Sequence, residues 1–189
     1  MAIHITGDPA ADDVLTGSPF ALVVGMMLDQ QYPMEHAFRG PHKVLTRFGS
    51  IDPAAIAAAD PEEFAVLCST PPAIHRYGRS MAGRLQSLAQ LVEDKYDGHA
   101  ERLWTEAKSG QELFDRVQEL PGFGKQKAQI FVALLAKQLD VRPEGWEQAA
   151  GAYAEDGYRS VADVTDPASL QKVRDYKKAK KAAAKAQAV

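Results

Sequence analysis

Leu120-Pro121-Gly122-Phe123-Gly124-Lys125-Gln126-Lys127-Ala128 is the stretch on which the reading of the whole chain turns. Helical sequence precedes it from about 112 and an apolar helical pattern follows it to about 138, so it forms the bend between two helices. Two glycines two positions apart give the backbone conformations closed to other residues. They also clear side chains from the outer face of a tight hairpin. Amides in the first turn of the second helix then point outward, where the helix dipole favours a phosphate. Lys125 and Lys127 add positive charge beside those amides, and Phe123 is expected to plug the space between the two helices.

Working outward, the chain reads as helix after helix. Ser18-Pro19, Asp52-Pro53, Asp60-Pro61 and Asp166-Pro167 each pair a capping side chain with proline at the first helical position. Helices are predicted near 19–31, 34–48, 53–59, 61–68, 76–95, 100–107, 110–118, 124–138, 144–154 and 167–186. In the long one, Tyr77, Met81, Leu85, Leu88, Leu91 and Val92 recur three or four apart and make one buried stripe. Only Ile3-His4-Ile5-Thr6 alternates like a strand, and it is too short to organise a sheet. The fold class is therefore all-α. Lys177 to Val189 is rich in alanine and lysine and reads either as a fraying helix or as a disordered tail.

Composition narrows the function. The 189 residues contain 46% hydrophobic side chains, enough for a real core, yet no apolar run approaches the ~20 residues of a membrane span. With no basic-then-apolar leader at the N-terminus, a cytoplasmic location is expected. One cysteine, Cys68, excludes an internal disulfide, a four-cysteine zinc site and a four-cysteine iron–sulfur cluster. The five histidines show no metal-ligand spacing, so no metal site built from side chains is expected. The net charge of −3 is unevenly spread. Residues 171–189 carry seven basic side chains against one acidic, or +6, which leaves −9 on the remainder. Such a chain suits a polyanion only where its positive charge is gathered.

The pattern hydrophobic-Pro-Gly-hydrophobic-Gly-basic between helices resembles the helix-hairpin-helix motif, which grips DNA backbone without reading sequence and can hold a monovalent cation through its carbonyls. A second stretch, Pro19-Phe20-Ala21-Leu22-Val23-Val24-Gly25-Met26-Met27-Leu28-Asp29-Gln30-Gln31, resembles the early helix of the HhH-GPD superfamily of base-excision-repair DNA glycosylases, which includes endonuclease III. The resemblance runs from about Pro19 to Trp146. It implies a two-lobed fold with a cleft, one lobe at 22–133 and the other joining 1–21 to 134–189. The partner it implies is double-stranded DNA carrying a damaged base; the sequence does not fix the oligomeric state, and a monomer is expected.

A glycosylase extrudes a base and breaks its N-glycosidic bond through a cation-like sugar that a carboxylate stabilises. The resemblance assigns Gln31 to filling the vacated space and Gly122, Gly124, Lys125 and Lys127 to the DNA backbone. Gln31 also reads as an ordinary hydrogen-bonding residue at a helix end. The superfamily's catalytic aspartate falls, by ungapped counting from the hairpin, on Glu144, with Asp140 four residues earlier as second choice. Gln30, Tyr32, Arg142 and Trp146 are pocket candidates, with Tyr153 nearby. Gln126 stands where bifunctional members carry a nucleophilic lysine, so a monofunctional enzyme without a cofactor is expected. The departure from aspartate keeps a noncatalytic DNA-binding protein open as an alternative, and a hairpin that contacts another protein as a further one.

Overall fold

The computed structural model describes residues 1–188. Among these, eleven α-helices and two 3-10 turns form without a strand. The helices are α1 (Pro9–Gly17), α2 (Pro19–Leu28), α3 (Met34–Phe48), α4 (Pro53–Ala58), α5 (Pro61–Ser69), α6 (Gly78–Tyr96), α7 (Arg102–Thr105), α8 (Gly110–Gln118), α9 (Lys125–Leu139), α10 (Trp146–Ala150) and α11 (Pro167–Gln187). The 3-10 turns are Gly151–Ala154 and Val161–Asp163. No single described helix is long and apolar enough to cross a membrane.

The cap-and-proline starts behave as expected. Ser18, Asp52, Asp60 and Asp166 each accept from first-turn amides with proline next in sequence. The same signal at Asp8-Pro9 opens α1, a helix that hydrophobic periodicity alone passes over. Ile3 and Ile5 are buried beside α1, and the Asp12 carboxylate accepts from the Ile5 and Thr6 amides, so this extended segment is held by a helix rather than by a sheet.

One contiguous core runs from Ile3 to Val173. Its centre is α2, buried from Phe20 through Leu28. A helix apolar on every side must sit inside others, and α2 packs on α1, α3 and α6. A Cβ on Gly25 would lie 2.5 Å from the Phe38 ring, so glycine is what permits α3 to approach. The second cluster is α8, α9 and α10. Phe123 is buried in the α8–α9 hairpin, edge-on to Phe131 at 6.2 Å.

One boundary differs from expectation in a way that matters, and the end of the last helix does not. The helix predicted to reach 31 stops at Leu28, with Asp29 at its C-cap, so Gln30 and Gln31 lie in a loop. The C-terminal segment is helical through Gln187.

Candidate functional site

The hairpin begins where α8 ends. Gly122 has φ +82°, a conformation that side chains other than glycine's rarely adopt, while Gly124 has an ordinary φ of −100° and caps α9. No side chain caps α9, so its first-turn amides keep their hydrogen-bonding capacity for a ligand. Lys125 is exposed there, as is Gln126.

Lys127 turns the other way. Its side chain crosses to the end of α2, where Nζ donates to the Met27 carbonyl at 2.9 Å and lies 5.7 Å from the Phe123 ring centre. A cation at a helix C-terminus complements the exposed carbonyls. Burial lowers its pKa to about 8, with Arg84 pushing the same way and Asp29 opposing. Asp29 is the counterpart. Burial raises its pKa above the ordinary aspartate value, while Lys177 and Lys127 pull it down.

These groups open on a cavity of about 330 Å³. Asp29, Gln31 and Tyr32 line it from the loop after α2, and Gln126, Lys127 and Ile130 from α9. Tyr153, Arg159, Lys177 and Lys180 line it from the C-terminal part. The volume falls in the range of small-molecule pockets. Gln126 Nε2 donates to the Tyr153 hydroxyl at 2.8 Å, bridging the start of α9 to the 3-10 turn that follows α10.

The loop between Asp29 and Pro33 is fixed by two residues that sequence reading did not single out. The Tyr77 amide donates to His75 Nδ1 (3.0 Å), which leaves the proton on Nε2, and Nε2 donates to the Gln30 carbonyl (2.9 Å). Burial keeps the pKa of His75 below the usual histidine value, consistent with a neutral ring. Tyr32 packs on that ring at 4.7 Å. Arg84 from α6 donates to Gln30 Oε1 at 2.7 Å, and its side chain covers Gly122, where a Cβ would lie 2.8 Å from Arg84 Cδ. Arg84 thereby joins the loop after α2 to the hairpin. Gln31 carries no such tether. It is exposed, at φ +53°.

Gln31, Tyr32, Gln126 and Lys127 thus meet at one cavity. Glu144, Asp140, Arg142 and Trp146 do not line it. α9 is 15 residues long, about 22 Å, and these four follow its far end. The Glu144 carbonyl accepts from the Gly110 amide (2.8 Å) at the start of α8, and its side chain is exposed. Asp140 ends α9 and pairs with Arg142 at 3.2 Å, both exposed. Arg142 lies 5.9 Å from the Trp146 ring centre, and Trp146 packs on the core. Cys68 is buried, and burial pushes its thiol pKa up to about 12. A larger cavity of about 530 Å³ lies between the N-terminal segment and α11, but its one buried carboxylate, Asp12, is satisfied by the Ile5 and Thr6 amides and the Thr6 hydroxyl.

The family model for HhH-GPD superfamily base excision DNA repair proteins matches residues 24–188. No curated protein and no solved structure matches the chain.

Proposed function

The chain belongs to the HhH-GPD superfamily of base excision DNA repair proteins, and from that premise we propose that it is a monofunctional DNA glycosylase whose Asp29 cavity receives a base turned out of the duplex. The observation that carries this reading is a poorly solvated carboxylate and amine, Asp29 and Lys127, lining one cavity beside the phosphate-binding end of α9.

Turning a base out costs a few kcal/mol, offset by gripping the backbone and filling the gap. The α9 amides and Lys125 supply the grip, and hairpin carbonyls are where a monovalent cation would be held. Gln31, untethered at the cavity rim, supplies the filling. Breaking the glycosidic bond leaves positive charge on the sugar. The base departs with a proton, and water delivers hydroxyl to the anomeric carbon. Asp29 is suited to stabilise that cation. Its anion is costly where it sits, and the developing positive charge relieves that cost, so the interaction strengthens toward the transition state. Glu144, the carboxylate to which spacing points, is the rival assignment. The segments 22–133 and 1–21 with 134–189 act as the two lobes around the cavity, each contributing part of its wall.

Gln126 at the nucleophile position is tied to Tyr153, and the Lys127 amine is engaged by Met27. The first favours hydrolysis without strand cleavage, and the second keeps the neighbouring amine from replacing it.

The test is base release from duplexes carrying uracil, hypoxanthine, alkylated purines, oxidised pyrimidines or 8-oxoguanine, with and without hot alkali. Strand breakage only after alkali is the expected result, lost in Asp29→Asn and kept in Glu144→Gln and Asp140→Asn. Release from no lesion, with salt-sensitive duplex binding retained, would establish a noncatalytic DNA-binding protein instead.

A further inference from the structure

We infer that the free half of α11 is a second DNA-backbone clamp, set across the cavity from the hairpin, so that the strand is held on both sides of the extruded nucleotide. This rests on the DNA-binding reading above and adds a partner surface to the same site.

The geometry of α11 separates an anchor from an arm. Asp166 and Ser169 form a capping box at its start, and Ser169 and Val173 are buried. Arg174 ends the anchor with an ion pair to Glu35 of α3, a carboxylate only 7% exposed. From Arg174 through Ala188 every residue is exposed. Fourteen helical residues, Arg174 to Gln187, extend about 21 Å.

The arm carries Lys177, Lys178, Lys180, Lys181 and Lys185 and has no acidic residue after Asp175. At 100° per residue all five fall on one side of the helix, with Ala179, Ala182, Ala183 and Ala186 on the other. Lys177–Lys181 and Lys181–Lys185 are like charges four residues apart, each pair unfavourable for a helix standing alone. A row of phosphates removes that repulsion, whereas a merely solubilising helix would gain from interspersed acids.

Position supplies the rest. Lys177 and Lys180, together with Tyr176, line the Asp29 cavity that Gln126 and Lys127 line from α9. Lys177 is also the strongest cationic influence on the Asp29 carboxyl. The lysine row therefore begins at the cavity and leads away from it. On a chain of net charge −3, these lysines and the hairpin gather positive charge at one place.

Counterion release provides the test, since each phosphate neutralised contributes about −0.9 to the slope of log affinity against log salt. Duplex affinity would be measured by fluorescence anisotropy across a salt series for the wild type, for the joint variant Lys177→Gln, Lys180→Gln, Lys181→Gln, Lys185→Gln, and for Lys125→Gln. The arm variant should flatten the slope by about 2–3 and weaken binding about tenfold or more in moderate salt. Its melting temperature should fall by no more than about 2–4 °C, the effect of losing the Lys177 charge near Asp29, because every arm lysine is exposed. Phosphate-ethylation interference should show two groups of contacts flanking the lesion in the wild type, with only one lost in the arm variant. An unchanged slope and footprint in the arm variant, alongside weakened binding in Lys125→Gln, would overturn the clamp and leave the glycosylase reading standing. Absence of duplex binding by the wild type would instead remove both.

Discussion

The two ends of α9 carry similar residue types and do different things. At the N-terminal end, Lys125 is exposed beside uncapped amides, and Lys127 is drawn to the Met27 carbonyl at a poorly solvated place that also feels the Asp29 charge. At the C-terminal end, Asp140, Arg142 and Glu144 are also charged, but all three are exposed. The Asp140–Arg142 pair there is a surface ion pair, a class whose worth is typically within about 1 kcal/mol. Charge becomes chemically informative where the fold withholds water from it. Spacing along the chain finds charges, and burial sorts them.

The sharpest way to break this comparison is to neutralise one carboxylate at each end. Asp29→Asn should lower the base-release rate by about 10²- to 10³-fold, the scale expected when a group stabilising transition-state charge is removed. The same substitution should raise thermal stability at neutral pH. A carboxyl whose folded pKa lies above its unfolded value stabilises the fold only while protonated, and that contribution is lost as pH rises through the folded value. Above it the buried anion is a burden that asparagine lacks. Lost activity with a raised melting temperature marks a functional strain. Lost activity with a lowered one would reduce Asp29 to a structural partner of Lys127.

A smaller effect separates the two hairpin glycines. Gly122→Ala places a Cβ at φ +82° and against Arg84, so it should cost about 1–2 kcal/mol of stability and weaken duplex binding, because Arg84 also holds Gln30. Gly124→Ala meets nothing within 4 Å at a permitted φ. It should leave urea denaturation unchanged and weaken duplex binding alone, by about threefold to tenfold, by covering the amide surface. Equal losses of stability in both variants would show the second glycine to be architectural.

Most of the fold was legible because its signals are local. Proline after a capping aspartate or serine, a left-handed glycine and a 3.6-residue apolar rhythm each act within a few positions, and the hairpin is built from the last two. The cavity was harder to see because its contacts are not local. Lys127 reaches Met27 across 100 positions and Arg84 reaches Gln30 across 54. One signal was nevertheless present. Asp29 closes an entirely apolar helix at its negative end, with no basic residue in the following turn, which conflicts with the helix dipole. Such a local conflict points to compensation elsewhere in the fold and often to a functional site. Glu144, to which counting from the hairpin points, follows α9 in the chain and is exposed, and it does not line this cavity.

A subtler measurement concerns Lys127 itself. Its pKa of about 8 lies below the ordinary lysine value of 10.5. Between those values the unfolded chain holds a proton that the folded chain has released, so wild-type stability should rise with pH across that interval relative to Lys127→Gln, and the difference should be flat below it. Urea denaturation at pH 7, 8, 9 and 10 on both proteins reads this directly, on the alkaline scale set by the Lys127 value. A wild-type stability that falls instead would mean that Asp29 holds the amine as a cation, and the cavity would then carry a firm ion pair rather than two strained groups. Borohydride should trap no protein–DNA adduct if the engaged amine stays out of the chemistry.

The smallest expected effect lies at the far end of α9, and it discriminates because it should be null. Glu144→Gln and Asp140→Asn remove exposed carboxylates, and only the backbone of Glu144 is engaged in packing, through Gly110. Each should change stability by no more than about 0.5 kcal/mol. Base release should match the wild type within about twofold, since these exposed charges do not line the cavity and a charge in open solvent is screened at physiological salt. A hundredfold loss of activity in Glu144→Gln at unchanged stability would require that loop to reach the cavity when DNA is bound. The carboxylate of the reaction would then be carried in by a movement of the segment after α9, and Asp29 would serve to place Lys127.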